Sequence, residues 1–199
     1  YEISRSDWSS DVCSSDLIPR QLYDSDHEMF RDSLRKFLEI EAMPNHEQWE
    51  SDGMVSDDIW LKAGEQGFLC PMVPEEYGGV GTDFLYNCIV NEEVSRSGCT
   101  GLGWSLHNDI SVPYIVRYGS DYQKKRYLPR CVSGELITAI AMTKPAAGSD
   151  FQGPKPTAIP NGGNYVRNAA KACVTNGQNA GLGIGLDNTD PPAAPKSKS

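Results

Sequence analysis

Residues 120–153 read SDYQKKRYLPRCVSGELITAIAMTKPAAGSDFQG, and three kinds of local order succeed one another within them. Ser120 and Asp121 are cap residues for a helix that carries Tyr127 and Leu128. After Gly134 the run Glu135–Met142 is apolar and β-branched, the composition of a buried strand. Thr143–Gly153 is a Pro/Gly/Ala/Ser turn with hydroxyls at Thr143 and Ser149. Small residues let a ligand approach the backbone, whose free N–H groups can point at an anion. No G-K-[ST] follows and no G-x-G-x-x-G is present, so neither a Walker loop nor a dinucleotide fingerprint is read here.

Towards the N-terminus the pattern is helical. Phe30, Leu34, Phe37 and Leu38 share one helical face, with Asp24, Ser25 or Asp26 as cap and Pro44 as the end. Ser56 caps a second helix bearing Ile59, Trp60 and Ala63. PEEYGGVGTD (74–83) is a loop, after which Thr82 or Asp83 caps a third helix that ends at Gly98. Residues 101–118 are apolar, with Pro113 as a possible kink site. Towards the C-terminus, TAIP, YVRN and CVTN alternate with glycine turns. The glycines of GLGIGLD (181–187) weaken strand formation there.

These segments predict an α+β protein: an N-terminal all-α helical bundle domain over 18–135, followed by an incomplete antiparallel β-barrel-like middle domain over 136–199. Residues 1–17 are Ser/Asp-rich without apolar periodicity and read as a disordered tail. SDWSSDVCSSDL within them resembles a translated sequencing adapter, which marks the tail as non-native.

The chain has 199 residues, 39% hydrophobic and 23% charged, with a formal net charge of −9. Such acidity disfavours nucleic acid as a partner. No apolar run is long enough for a membrane-spanning helix, and the N-terminus lacks a secretory signal. Cys13, Cys70, Cys88, Cys99, Cys131 and Cys173 are scattered without metal or redox spacing, as expected of buried free thiols. His27, His46 and His107 form no ligand set and are expected on the surface or at caps. Glu75, Glu76, Glu92 and Glu93 are expected as surface charges.

AMTKPAAGSD (141–150) resembles the T-E-P-G-A-G-S-D signature of the acyl-CoA dehydrogenase family, with Lys144 and Ala146 as departures. VPEEYGG (73–79), NEEVSRSG (91–98), SLHNDISVPYIVRYGSDYQKKRYLP (105–129) and CVTNGQNA (173–180) resemble further family segments in the same order. The resemblance covers about residues 18–199 and points towards the long-chain and branched-chain branch.

The resemblance implies a helical bundle, a central β domain and a C-terminal bundle, with FAD as cofactor. Carried over, Ile140, Met142, Thr143, Gly148, Ser149, Cys173 and Thr175 would contact FAD, with Ser149 also near the acyl-CoA substrate. Cys173 stands where the family places an aromatic on the flavin. The implied reaction is α,β-dehydrogenation of an acyl-CoA thioester, with an electron-transfer flavoprotein or similar acceptor and a homo-oligomeric full-length parent. The family's glutamate base would lie beyond residue 199, so the chain is expected to be an inactive fragment and no catalytic residue is assigned. The expected compartment is the cytoplasm, or the mitochondrial matrix in a eukaryote. Alternatives are an acyl-CoA oxidase, a flavin monooxygenase-like relative, or a cofactor-free helical interaction module.

Overall fold

The computed structural model describes residues 22–143, 157–168, 170–185 and 187. Helix α1 spans Ser25–Phe37, and the Asp24 side chain accepts from the backbone N–H groups of Asp26 and His27. The His27 ring accepts in return from the Asp24 N–H, closing a reciprocal cap. His27 is therefore a capping residue, but it is also buried, stacked beside Tyr23 and Tyr86.

Beyond α1 the chain widens into a π turn, Leu38–Ala42, and tightens into a 3₁₀ turn, Met43–Asn45, containing Pro44. It then re-enters an α-helix, α2, His46–Asp52. Sequence reading places no helix here, because Trp49 is the sole buried side chain of α2 and no apolar periodicity develops.

Helix α3, Asp57–Glu65, is capped by Ser56, and α4, Phe84–Ser97, by Asp83; α4 stops at left-handed Gly98. A π turn, Leu106–Ser111, leads into α5, Val112–Tyr118. Pro113 is the second residue of α5 and follows the π turn in one continuous helical run, so the irregularity precedes the proline. Helix α6, Asp121–Val132, opens on a Ser120/Gln123 capping box.

The helices enclose one aromatic-rich core. Phe37 packs on Phe68 and Trp104, Trp104 on Trp60, and Trp60 on the imidazole of His107, with ring centroids 5.2–6.3 Å apart. Cys70, Cys99 and Cys131 are buried as expected, whereas Cys173 is exposed.

One carboxylate departs from its expected surface position. Glu93 is 3% exposed and takes two hydrogen bonds from Arg35 and one from Arg31, at 2.9–3.0 Å. Burial pushes this carboxyl up, but the hydrogen bonds and charges of Arg35 and Arg31 outweigh it and hold it below its ordinary value. The pair binds α1 to α4. Glu75 and Glu76 are exposed as expected.

The β part departs from the expected antiparallel arrangement. Strand β1, Thr138–Ala141, pairs in parallel with β4, Leu182–Gly185, with Thr138 opposite Leu182 and Ile140 opposite Ile184. Strands β2, Thr157–Asn161, and β3, Asn164–Asn168, form a separate antiparallel hairpin around Gly162–Gly163. No barrel closes among the described residues. A parallel pair needs a long crossover, which the segment between β1 and β4 provides.

The glycines of 181–185 do not prevent a strand. Gly183 and Gly185 alternate with Leu182 and Ile184, so both aliphatic side chains fall on one face and pack on the helical core. CVTN, by contrast, is not a strand: Cys173 (φ +55°) and Asn176 (φ +61°) are left-handed and turn the chain.

Removing Glu93 leaves two cations without their shared partner. We predict that Glu93→Ala lowers unfolding free energy by about 3 kcal/mol, whereas Glu92→Ala, at the more exposed end of the network, costs under about 1 kcal/mol. Urea unfolding monitored by circular dichroism measures both.

Candidate functional site

The site lies where β1 leaves the helical core and the loop 170–180 returns beside it. The position of β1 is set by His107, which is 0% exposed. Its Nδ1 accepts from the Thr138 backbone N–H (3.2 Å) and lies 2.8 Å from Thr138 Oγ1. Its Nε2 donates to the Cys131 carbonyl at 3.0 Å. This requires the neutral Nε2–H tautomer. Burial holds the imidazole down at about pKa 4, against the Cys131 hydrogen bond, which favours the charged form. The expectation of a surface or capping histidine fails for His107, because each ring nitrogen finds a partner inside the protein.

At the end of β1, Met142 is half-buried and Thr143 exposed. The returning chain lies against them: the Ala172 N–H donates to the Thr143 carbonyl at 3.2 Å, and Lys171 Nζ to the Met142 carbonyl at 3.3 Å. Cys173 follows directly and Thr175 two residues after it, both exposed. The turn 175–179 is held to the helical part at two points. Asn176 Nδ2 donates to the carbonyls of Gly103 and Thr138, each at 3.2 Å. Asn179 Nδ2 donates to the Val55 carbonyl at 2.8 Å and to Asp57 Oδ1 at 3.1 Å.

A cavity of about 560 Å³ opens beneath this turn. It is lined by His46, Trp49, Glu50, Met54, Val55 and Trp60, by Thr100–Gly103 and by Val174–Asn179, a mixed polar and apolar surface. Of the described residues that the sequence singles out, only Thr175 lines it. Among the described residues no cluster of three or more His, Cys, Asp or Glu side chains could hold a metal ion.

Of the seven residues the sequence singles out, five are described. Ile140 is half-buried within β1, opposite Ile184. Met142 and Thr143 follow it, and Cys173 and Thr175 stand on the adjoining loop. Gly148 and Ser149 lie outside the described residues. His107, Asn176 and Asn179 hold these segments in place but were not singled out. The signal for Asn176 was its place before Gly177 in a turn, where a left-handed asparagine is common.

Comparison with known proteins agrees with this geometry. The family description "Acyl-CoA dehydrogenase, N-terminal domain" matches residues 24–135. The long-chain specific acyl-CoA dehydrogenase of Sus scrofa mitochondria is 45% identical over 163 residues, 82% of this chain and 38% of that protein. The crystal structure of acyl-CoA dehydrogenase from Geobacillus kaustophilus superposes with a TM-score of 0.85 at 48% identity, over 88% of this chain and 46% of that one. A glutaryl-CoA dehydrogenase from Mycobacterium smegmatis in complex with FADH2 superposes with a TM-score of 0.77 at 27% identity, over 84% of this chain and 43% of that one. The chain belongs to the acyl-CoA dehydrogenase family. It spans less than half the length of these relatives.

The neutral state of His107 makes stability depend on pH. Its folded pKa, about 4, lies below the ordinary 6.5, so the unfolded chain binds the proton more readily. The His107 contribution is fully present above about pH 6.5 and is lost as pH falls towards 4, by about 3 kcal/mol in all. Urea titrations should show His107→Gln less stable at neutral pH and with a flatter profile than the unmutated protein across this window. Parallel profiles would show that the imidazole does not titrate with unfolding.

Proposed function

We propose that the protein acts in the FAD-dependent α,β-dehydrogenation of an acyl-CoA thioester, and that this chain contributes one wall of the cofactor site. The observation that carries the reading is the docking of residues 171–172 against Met142 and Thr143, which places the exposed Thr143 and Thr175 on neighbouring segments. Exposed hydroxyls at fixed positions beside a half-buried methionine suit a flat heterocycle with a polar edge.

Thr143 and Thr175 would hydrogen-bond that polar edge, and Met142 and Ile140 would support it from below. Cys173 would lie beside the ring system without the contact area of an aromatic side chain. Gly148 and Ser149 would receive the pyrophosphate, with Ser149 also facing the acyl-CoA. Bound FAD would supply the two-electron acceptor for the reaction. Hydroxyl donors held in place before the reaction favour the charge that builds as electrons arrive, without reorganising.

No catalytic base is assigned within the chain. Glu75 and Glu76 are exposed and Glu93 is committed to Arg31 and Arg35. Domains over 18–135 and 136–199, assembly of the whole protein as a homo-oligomer, and delivery of electrons to an electron-transfer flavoprotein or similar acceptor belong to the same proposal. Its long-chain relative is named as mitochondrial; the matrix is the corresponding compartment if this protein is eukaryotic. No helix among the described residues is long and apolar enough to cross a membrane.

The test is flavin uptake and reduction by the whole protein. It should bind FAD and lose the oxidised-flavin visible band when an acyl-CoA is added anaerobically. Thr143→Ala and Thr175→Ala should each weaken FAD binding about three- to tenfold, the worth of one hydrogen bond. A protein that takes up no FAD would falsify the proposal.

A further inference from the structure

Asn176 lies on the loop of the proposed flavin site, next to Thr175, and bonds to β1 four residues before Met142. Its side-chain amide has two N–H groups, and they serve two carbonyls: Gly103 at the start of the segment that leads to His107, and Thr138 in β1. Thr138 is itself held by His107. The carbonyl of Asn176 accepts from the N–H groups of Asn179 and Ala180, at 3.1 and 2.9 Å, closing the turn. The left-handed backbone at Asn176 (φ +61°) admits asparagine or glycine with little strain.

The fit around this amide is close. Gly103 is left-handed (φ +66°), and a Cβ added there would lie 2.0 Å from Asn176 Oδ1. The turn therefore sits directly on the Gly103 backbone and has no room to shift towards it. Thr175 is the next residue along the chain, and Met142 and Thr143 continue the strand that Asn176 grips.

We infer that Asn176 is a positioning residue, whose side-chain amide fixes the spacing between the end of β1 and the 173–175 segment and so sets how both meet the flavin. This inference rests on the FAD reading above. It adds a residue that acts through Thr143 and Thr175, with Gly103 as its required small partner.

The test uses the whole protein at saturating FAD, so that weaker binding does not mask a changed environment. Asn176→Gly keeps the left-handed backbone and removes only the donors. It should shift the visible absorption and circular dichroism bands of the bound flavin and raise the FAD dissociation constant roughly tenfold, because the site is no longer held in its binding geometry before the cofactor arrives. Glu93→Ala is the control for stability alone: it should lower the melting temperature and leave the flavin bands in place. If Asn176→Gly does not fold, the isosteric Asn176→Asp, which sets oxygens against both carbonyls, is read in the same way. Bands and affinity unchanged in a folded Asn176 variant, while the unmutated protein binds FAD, overturn the positioning role and leave the FAD reading standing. An unmutated protein without FAD overturns both.

Discussion

A single neutral imidazole holds the sheet to the helices. His107 rises from the π turn before α5, reaches the end of α6 through the Cys131 carbonyl, and takes the first N–H of β1 on its other nitrogen. It is fully buried. The ring therefore has to satisfy both nitrogens from inside the protein, and each partner is a backbone group whose own position is thereby fixed. Displacing it would leave a buried N–H and a buried carbonyl unpaired, each costing about 1–3 kcal/mol. The strand that ends in Met142 and Thr143 starts from that fixed point.

From β1 the constraint passes to the loop beside it. The amides of Asn176 and Asn179 tie that loop to Gly103, Thr138 and Val55, and the Lys171 ammonium ties its start to the Met142 carbonyl. A charged network of Arg31, Arg35 and Glu93 stands between α1 and α4, where it ties two helices together.

Local chemistry was legible in the sequence, and pairing over distance was not. Asp24, Ser56, Asp83 and Ser120 cap their helices as their residue types suggest, because a cap is decided within a few residues. Helix α2 was hidden because one buried tryptophan in seven residues makes no pattern. The parallel partner of β1 was hidden for a different reason: strand direction depends on where the chain re-enters the sheet, and the alternation of Gly183 and Gly185 with Leu182 and Ile184 looks like weakness until one face is known to be buried. Burial of Glu93 depends on two arginines some sixty positions away. In the candidate site, Ile140, Met142, Thr143, Cys173 and Thr175 were reached through family resemblance, since a short turn carries little information alone. The residues that hold them, His107 and Asn176, act through contacts that no local window contains.

The dependence of these contacts on one another also orders the way the protein assembles. Helices α1 to α6 end at Val132, and most of the core lies before it. The sheet cannot close until Leu182 meets Thr138, and the anchor of Asn179 on Val55 spans 124 positions. Loop-closure cost grows only slowly with span, so the order is set by docking: β1 and the helical surface must be in place before the loop has anything to join. The helical layer, with β1 docked on it by His107, is then a template that the loop and β4 must find. Until Leu182 pairs with Thr138, the edge of β1 is open to the strand of another chain.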